Sequence, residues 1–146
     1  MTKLFLVRHG ETVDNAAQIL QGQEQGELNE HGREQAREVR DKLKDEKIDV
    51  FVSSDLKRAV DTCCIIGEAH GNPQIVTTPL LRERDWGSFT GRAQNFLTWL
   101  KVTYPDKTVL AVGHGIVNKA IQSVYFKKPM NEILKMTNAE VRVLLL

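Results

Sequence analysis

The sequence predicts a three-layer α/β/α sandwich on a mainly parallel sheet, with one antiparallel edge strand. Short apolar or β-branched runs alternate with stretches of helical apolar spacing along the whole chain, and such alternation builds parallel sheets covered by helices. No internal repeat, linker or biased segment interrupts the pattern. Length and composition agree: 146 residues, 41% hydrophobic, with ten glycines. That suits one domain, residues 1–146, because domains usually run to roughly 100–200 residues, and it gives enough apolar material to bury a core without disulfides or a structural metal.

Lys3 to Arg8 is expected to be a buried strand, a short apolar run closed by His9-Gly10. Asn29 to about Lys47 follows as an amphipathic helix, with Asn29 as its cap and Ala36, Val39 and Leu43 on one face. Asp49 to Ser53 forms a second strand. Asp55 is placed to cap the next helix, whose stripe is Leu56, Ala59, Val60, Cys63, Cys64 and Gly67, and Gly71 is its stop. Ile75 to Thr78 is a third strand. After Gly91, Ala93, Phe96, Leu97 and Leu100 repeat at helical spacing. Val109 to Val112 is the fourth strand, ended by Gly113-His114-Gly115; Ile116, Val117, Ala120, Ile121 and Val124 form a buried helix face, and Val141 to Leu146 is the edge strand.

Charge and cysteine content narrow the function. Twenty Lys and Arg against nineteen Asp and Glu give a net charge of +1, without the basic excess of a nucleic-acid binder or a polybasic membrane patch. Leu4 to Val7 is too short for a signal or membrane segment, so a cytoplasmic protein is expected. Cys63 and Cys64 are adjacent, which suits neither a disulfide nor a zinc site, and both read as small apolar helix residues.

Ligands in parallel sheets bind at the carboxyl ends of the strands. Those ends carry Arg8-His9-Gly10-Glu11, Ser53-Ser54-Asp55 leading to Arg58, Arg82-Glu83-Arg84, and Gly113-His114-Gly115. A lone histidine at a strand end is weak evidence. Two, each followed by glycine, are far stronger, because Gly10 and Gly115 let backbone N–H groups approach an anion closely. Arginines grip phosphate oxygens with forked, charge-assisted hydrogen bonds. Neutral imidazole is a nucleophile, and a carboxylic acid protonates a leaving oxygen and then accepts a proton from water. Two arginines, two histidines and one glutamate therefore suffice for phosphoryl transfer through a phosphohistidine. There is no GxxxxGK[ST] loop.

These blocks resemble the histidine phosphatase superfamily in its phosphoglycerate-mutase-like branch. The likeness rests on Leu4-Phe5-Leu6-Val7-Arg8-His9-Gly10-Glu11-Thr12 with Asn15, Gln21-Gly22, Leu28, Gly32 with Gln35-Ala36, Ser53 to Ala59 with Thr62, Leu81 to Gly87 with Gly91, and Val112 to Gly115. It implies that His9 is the phosphorylated nucleophile. Arg8, Arg58 and His114 surround the phosphoryl group, Asn15 supports it, and Glu83 is the general acid and then base. It also implies no metal and no organic cofactor. Gly10, Gln21, Gly22 and Gly115 are candidate substrate contacts.

The chain departs from the family pattern in two places. Gln25, Glu27 and Asn29 stand where relatives often carry Asp, Pro and Thr. Typical relatives also have a long helical insertion after Gly91, where this chain has only the 16 residues Arg92 to Lys107 before the fourth strand. The expectation is a phosphatase with an open site, acting on phosphorylated small molecules or phosphoproteins. A protein phosphohistidine phosphatase, a phosphoglycerate-type mutase and a non-catalytic phosphate-binding regulatory module are the alternatives. A metal hydrolase with His9, His114, Glu11 and Glu83 as ligands is disfavoured, since neighbouring arginines repel a cation. Glu11 is either a support for the site or the start of a turn. His31 and His70 are read as exposed helix-end residues, and Trp86, Phe96 and Trp99 as core or groove wall. The sequence leaves the oligomeric state open.

Overall fold

The computed structural model describes residues 1–13, 26–83 and 89–146. Five strands form one sheet: β1 (Lys3–Arg8), β2 (Val50–Ser54), β3 (Ile75–Thr78), β4 (Thr108–Gly113) and β5 (Val141–Leu145), in the order β3-β2-β4-β1-β5. β1 runs parallel to β4, β4 to β2 and β2 to β3, while β5 is antiparallel to β1. The mixed sheet agrees with the predicted class, edge strand included. Among the described residues four helices cover it: α1 (Glu30–Lys42), α2 (Lys57–Gly67), α3 (Phe89–Thr103) and α4 (Gly115–Phe126).

Side chains alternate across the strands, so each face has its own core. Leu4, Leu6, Val52, Val109, Ala111 and Leu144 pack against Ala93, Phe96, Leu97 and Leu100 of α3 and Val117, Ala120 and Ile121 of α4. On the other face Phe5, Val7, Phe51, Leu110 and Val112 meet Val39 of α1 and Ala59, Cys63 and Ile66 of α2. The chain leaving β1 therefore reaches a helix on one face, and the chain leaving β4 a helix on the other. The neighbouring ends of β1 and β4 form the crevice where open α/β sheets bind ligands.

Several local expectations change. α1 stops at Lys42 rather than near Lys47, because no apolar residue follows Leu43 before Ile48 to extend its buried face. Its cap is as expected, with the Asn29 side chain accepting from Gly32 N at 2.7 Å. Asp55 does not cap α2: Leu56 occupies the N-cap position, and the Asp55 carboxylate takes a forked pair from Arg82 at 2.8 and 2.7 Å. Gly71 does end the helical run, through a left-handed φ of 79°. α3 begins at Phe89, before Gly91.

Cys63 is buried but Cys64 is exposed, since adjacent helix positions point about 100° apart. His70 is half-buried rather than exposed, with Nε2 3.1 Å from the Leu43 carbonyl and its ring against Phe51. Phe96 lies in the core with Trp99 packed beside it, whereas Trp86 lies outside the described residues. No helix of the described residues is long and apolar enough to cross a membrane.

Candidate active site

β1 delivers Arg8 and His9, and β4 delivers His114, across a parallel register that pairs Arg8 with Gly113. The His9 N–H donates to the Gly113 carbonyl at 3.1 Å. The two rings meet edge to face, with centroids 5.1 Å apart, and both side chains are buried. The His9 carbonyl is held by Ala139 N at 3.1 Å and Asn138 Nδ2 at 3.2 Å, which ties the strand end to the segment before β5.

Hydrogen-bond chemistry assigns the His9 tautomer. Nδ1 lies 2.7 Å from the Gly10 carbonyl, which can only accept, so Nδ1 carries the proton. Burial, and after it the nearby Arg8 and Arg58, push the ring pKa down to about 3, against the opposing pull of the Gly10 carbonyl. At neutral pH His9 is therefore uncharged, with its lone pair on Nε2. His114 has different partners. Its Nε2 lies 2.9 Å from Ser54 Oγ, and its buried Nδ1 has no hydrogen-bond partner among the described residues. Burial first, then His9, Arg58, Arg8 and Arg92, hold its pKa well below the usual imidazole value.

The cations come from three elements. Arg8 ends β1 and donates through Nη1 to the Met136 carbonyl at 2.8 Å. Burial lowers its pKa while Glu83 opposes the shift, although a guanidinium stays charged at any working pH. Arg58 lies in the first turn of α2 and is 1% exposed. Next to it, Thr62 Oγ1 accepts from Gly10 N at 3.1 Å and donates to the Arg58 carbonyl at 2.8 Å, locking the first loop to α2. Arg92, on α3, donates to the carbonyls of Arg82 at 2.8 Å and Glu83 at 3.3 Å.

Glu83 stands where the third strand-end loop meets α4. Its Oε1 accepts from the backbone N–H groups of Ile116 at 2.8 Å and Val117 at 3.1 Å. Those groups belong to the first turn of α4, where free N–H groups and the helix dipole attract negative charge. Gly115 opens the same turn. Gly10 is required by close approach: a Cβ there would sit 2.5 Å from the Gly32 carbonyl oxygen. Glu11 ties the first loop to the start of α1. Its carboxylate accepts from Asn29 Nδ2 at 2.8 Å, and its N–H donates to Gln35.

The structure thus brings together His9, Arg8, Arg58, Glu83, His114, Gly10 and Gly115. Asn15, Gln21 and Gly22 lie outside the described residues. Sequence reasoning placed Ser54 at a strand end without giving it a role, and did not single out Arg92 or Asn118. Asn118 Nδ2 donates to the Val7 carbonyl at 3.0 Å and so pins α4 to β1. Its position one turn after His114, on a buried helix face, was the available signal. Among the described residues no group of three His, Cys, Asp or Glu side chains is placed to hold a metal ion.

A buried neutral histidine thus stands beside Arg8 and Arg58 at the crevice of a mixed α/β sheet. The chain belongs to the histidine phosphatase superfamily (branch 1), which it matches over residues 4–95. That span holds Arg8, His9, Arg58 and Glu83, while His114 lies beyond it. A metal-independent phosphoserine phosphatase of Arabidopsis thaliana is 45% identical over 92 residues, 62% of this chain and 39% of the relative. A probable phosphoglycerate mutase of Yersinia pestis is 42% identical over 98 residues, 67% of this chain and 45% of the relative. The chain spans less than half the length of these curated relatives. Among solved structures, a mycobacterial glucosyl-3-phosphoglycerate phosphatase in complex with VO3 superimposes with a TM-score of 0.86 at 26% identity, covering 97% of this chain and 91% of the other. A Bacillus stearothermophilus protein shares the fold with a TM-score of 0.90 at 23% identity, covering 98% and 90%.

Proposed function

We propose that this protein is a metal-independent phosphatase that hydrolyses phosphate monoesters through a phosphohistidine on His9. The observation that carries the reading is the His9 ring: its Nδ1 proton is committed to the Gly10 carbonyl, and its Nε2 lone pair is available beside Arg8 and Arg58.

His9 Nε2 attacks phosphorus, the P–O ester bond breaks, and the Glu83 carboxylic acid gives its proton to the departing oxygen. Arg8 and Arg58, with His114, stabilise charge on the equatorial oxygens. Water then attacks the phosphohistidine, Glu83 takes the water's proton, the P–N bond breaks, and His9 returns neutral with inorganic phosphate released. Two arginines supply the charge neutralisation that a metal would otherwise provide.

Hydrolysis is favoured over mutase action because mutases must exclude water from the intermediate. The segment Arg92 to Lys107 is a single helix that leads almost directly into β4. The same feature favours a broad substrate range, phosphates displayed on macromolecules and protein phosphohistidine included. Relatives whose names record phosphoserine phosphatase and glucosyl-3-phosphoglycerate phosphatase activity point to phosphorylated small molecules as the first to test.

Trapping decides the mechanism. A labelled substrate, quenched with alkaline denaturant, should leave an alkali-stable, acid-labile label on His9, and turnover should survive exhaustive chelation. An acid-stable label on serine or threonine would overturn the nucleophile, and activity lost to chelation and restored by a divalent cation would overturn metal independence.

A further inference from the structure

Asn118 is fully buried in the first half of α4, one turn after His114. Its side-chain Nδ2 donates to the Val7 carbonyl at 3.0 Å and lies 3.7 Å from Met136 Sδ. Its Oδ1 is buried without a hydrogen-bond partner among the described residues. A leucine of similar size would fill the place without burying an unpaired acceptor, so packing alone does not account for an amide here. Gly113 admits that oxygen: a Cβ at this position would lie 2.2 Å from Asn118 Oδ1. The Gly113 backbone is outside the left-handed region, so close approach rather than conformation requires the glycine.

Three attachments meet at this residue. The Asn118 N–H donates to the His114 carbonyl at 2.9 Å, which ties it to the helical turn that His114 opens. Its amide grips Val7, the residue before Arg8 and two before His9. Met136, against the same amide, offers its own carbonyl to Arg8 Nη1 at 2.8 Å. The His9 N to Gly113 O bond sets the register of β1 and β4, and apolar packing of α4 on the sheet is non-directional. The directional tie between α4 and β1 is the bond from Asn118 to Val7. The same first turn of α4 holds Glu83 Oε1 on the N–H groups of Ile116 and Val117.

We propose that Asn118 is a positioning residue that sets His114 and Glu83 against the His9 ring by tying the first turn of α4 to β1, and that Gly113 lacks a side chain in order to admit its amide. The kinetic consequences rest on the phosphatase reading; the placement of the two rings does not. Moving a reacting group by about 1 Å costs on the order of 10²-fold in rate. Interactions made only in the transition state are lost from kcat rather than from KM.

The test uses the whole protein, with propyl phosphate and p-nitrophenyl phosphate as substrates. Asn118→Leu should lower kcat on propyl phosphate by about 10- to 100-fold with KM within about threefold. The loss should be smaller on p-nitrophenyl phosphate, whose leaving oxygen needs no proton. In the same variant the NOE between the carbon-bound ring protons of His9 and His114, whose centroids stand 5.1 Å apart in the original, should weaken. Retained kcat, or a ring NOE of unchanged strength, overturns the proposal whatever happens to the melting point. If Asn118→Leu does not fold, Asn118→Ala gives the same readings. Gly113→Ala alone should lower kcat about as far as Asn118→Ala, and adding it to Asn118→Ala should cost under about twofold more. Failure of Gly113→Ala to fold, relieved by Asn118→Ala, supports the pairing equally, whereas equal costs in both backgrounds overturn it. If the unmodified protein hydrolyses neither ester, the phosphatase reading fails, and the ring NOE alone decides Asn118.

Discussion

The loops after β1 and β4 are built alike and used differently. Each ends a central parallel strand, each presents a buried histidine followed by glycine, and their backbones are joined by His9 N to Gly113 O. The partners separate them. A carbonyl faces Nδ1 of His9 and dictates its tautomer, whereas a serine hydroxyl, which can donate or accept, faces Nε2 of His114. One ring is fixed with a lone pair on Nε2, and the other can adopt the tautomer a bound phosphoryl group requires. Similar local sequence thus yields one ring with a fixed tautomer, the nucleophile of the proposed mechanism, and one adjustable hydrogen-bonding partner.

The strongest way to break this distinction is to remove each ring. His9→Ala should reduce kcat/KM for an alkyl phosphate by about 10⁴-fold or more, because the covalent path is lost. His114→Ala should cost about 10²–10³-fold, the usual cost of losing one charge-stabilising donor. Steady-state kinetics of the two variants check this, and equal losses would erase the assigned difference.

Glu83→Gln sharpens the comparison from the leaving-group side. It should cost about 10²–10⁴-fold on alkyl phosphates, which need a proton on the departing oxygen, and under about tenfold on p-nitrophenyl phosphate, which does not. Arg92→Ala should reproduce part of that pattern, because Arg92 holds the carbonyls of Arg82 and Glu83. A uniform loss on both substrates would make Glu83 a binding or structural residue.

Acid stability follows from the two depressed histidines. Between the ordinary value of 6.5 and the folded value of about 3 for His9, the unfolded chain binds a proton that the folded chain refuses. His114 is shifted in the same direction. Stability is therefore full above the ordinary imidazole pKa and falls as pH drops below it, by up to about 1.4 kcal/mol per pH unit for each ring. Urea midpoints at pH 7, 6, 5 and 4 should show this fall, and it should flatten in His9→Gln and in His114→Asn. An unchanged slope in either variant would mean that the ring is already charged in the folded protein.

The smallest expected effect concerns Ser54, the group that makes the two loops unlike. Ser54→Ala should cost about 1–2 kcal/mol of stability, because Ser54 Oγ both meets His114 Nε2 and accepts from Leu56 N at 3.3 Å. It should lower kcat several-fold with KM near its original value, and retained kcat would show that His114 needs no partner. Denaturant melts and kinetics on one preparation give both readings.

Much of this was legible in the chain. Apolar periodicity located β1, β3, β4 and β5 to within a residue or so and found α4, because each is a run whose pattern is set by burial on a sheet. The strand ends then marked His9, Arg58, Glu83 and His114 as candidates. Less legible were the side chains whose partners lie far along the chain. Asp55 had the composition of a helix cap and became the partner of Arg82. Cys64 lay on an apolar stripe and faces solvent, and His70 had the position of an exposed helix end and packs on Phe51.

The sequence by itself determined the order of elements, the face each helix buries and the residues at the strand ends, because these follow from spacing within a few residues and from the alternation of side chains along a strand. Only the tertiary structure decided that Ser54 meets His114, that Glu83 docks on the first turn of α4 and that Arg92 clamps the loop before it. The first two pairings join segments separated by long stretches of chain. They arise when the sheet sets β4 between β1 and β2 and packing on both faces fixes where each loop can go, which no local pattern encodes.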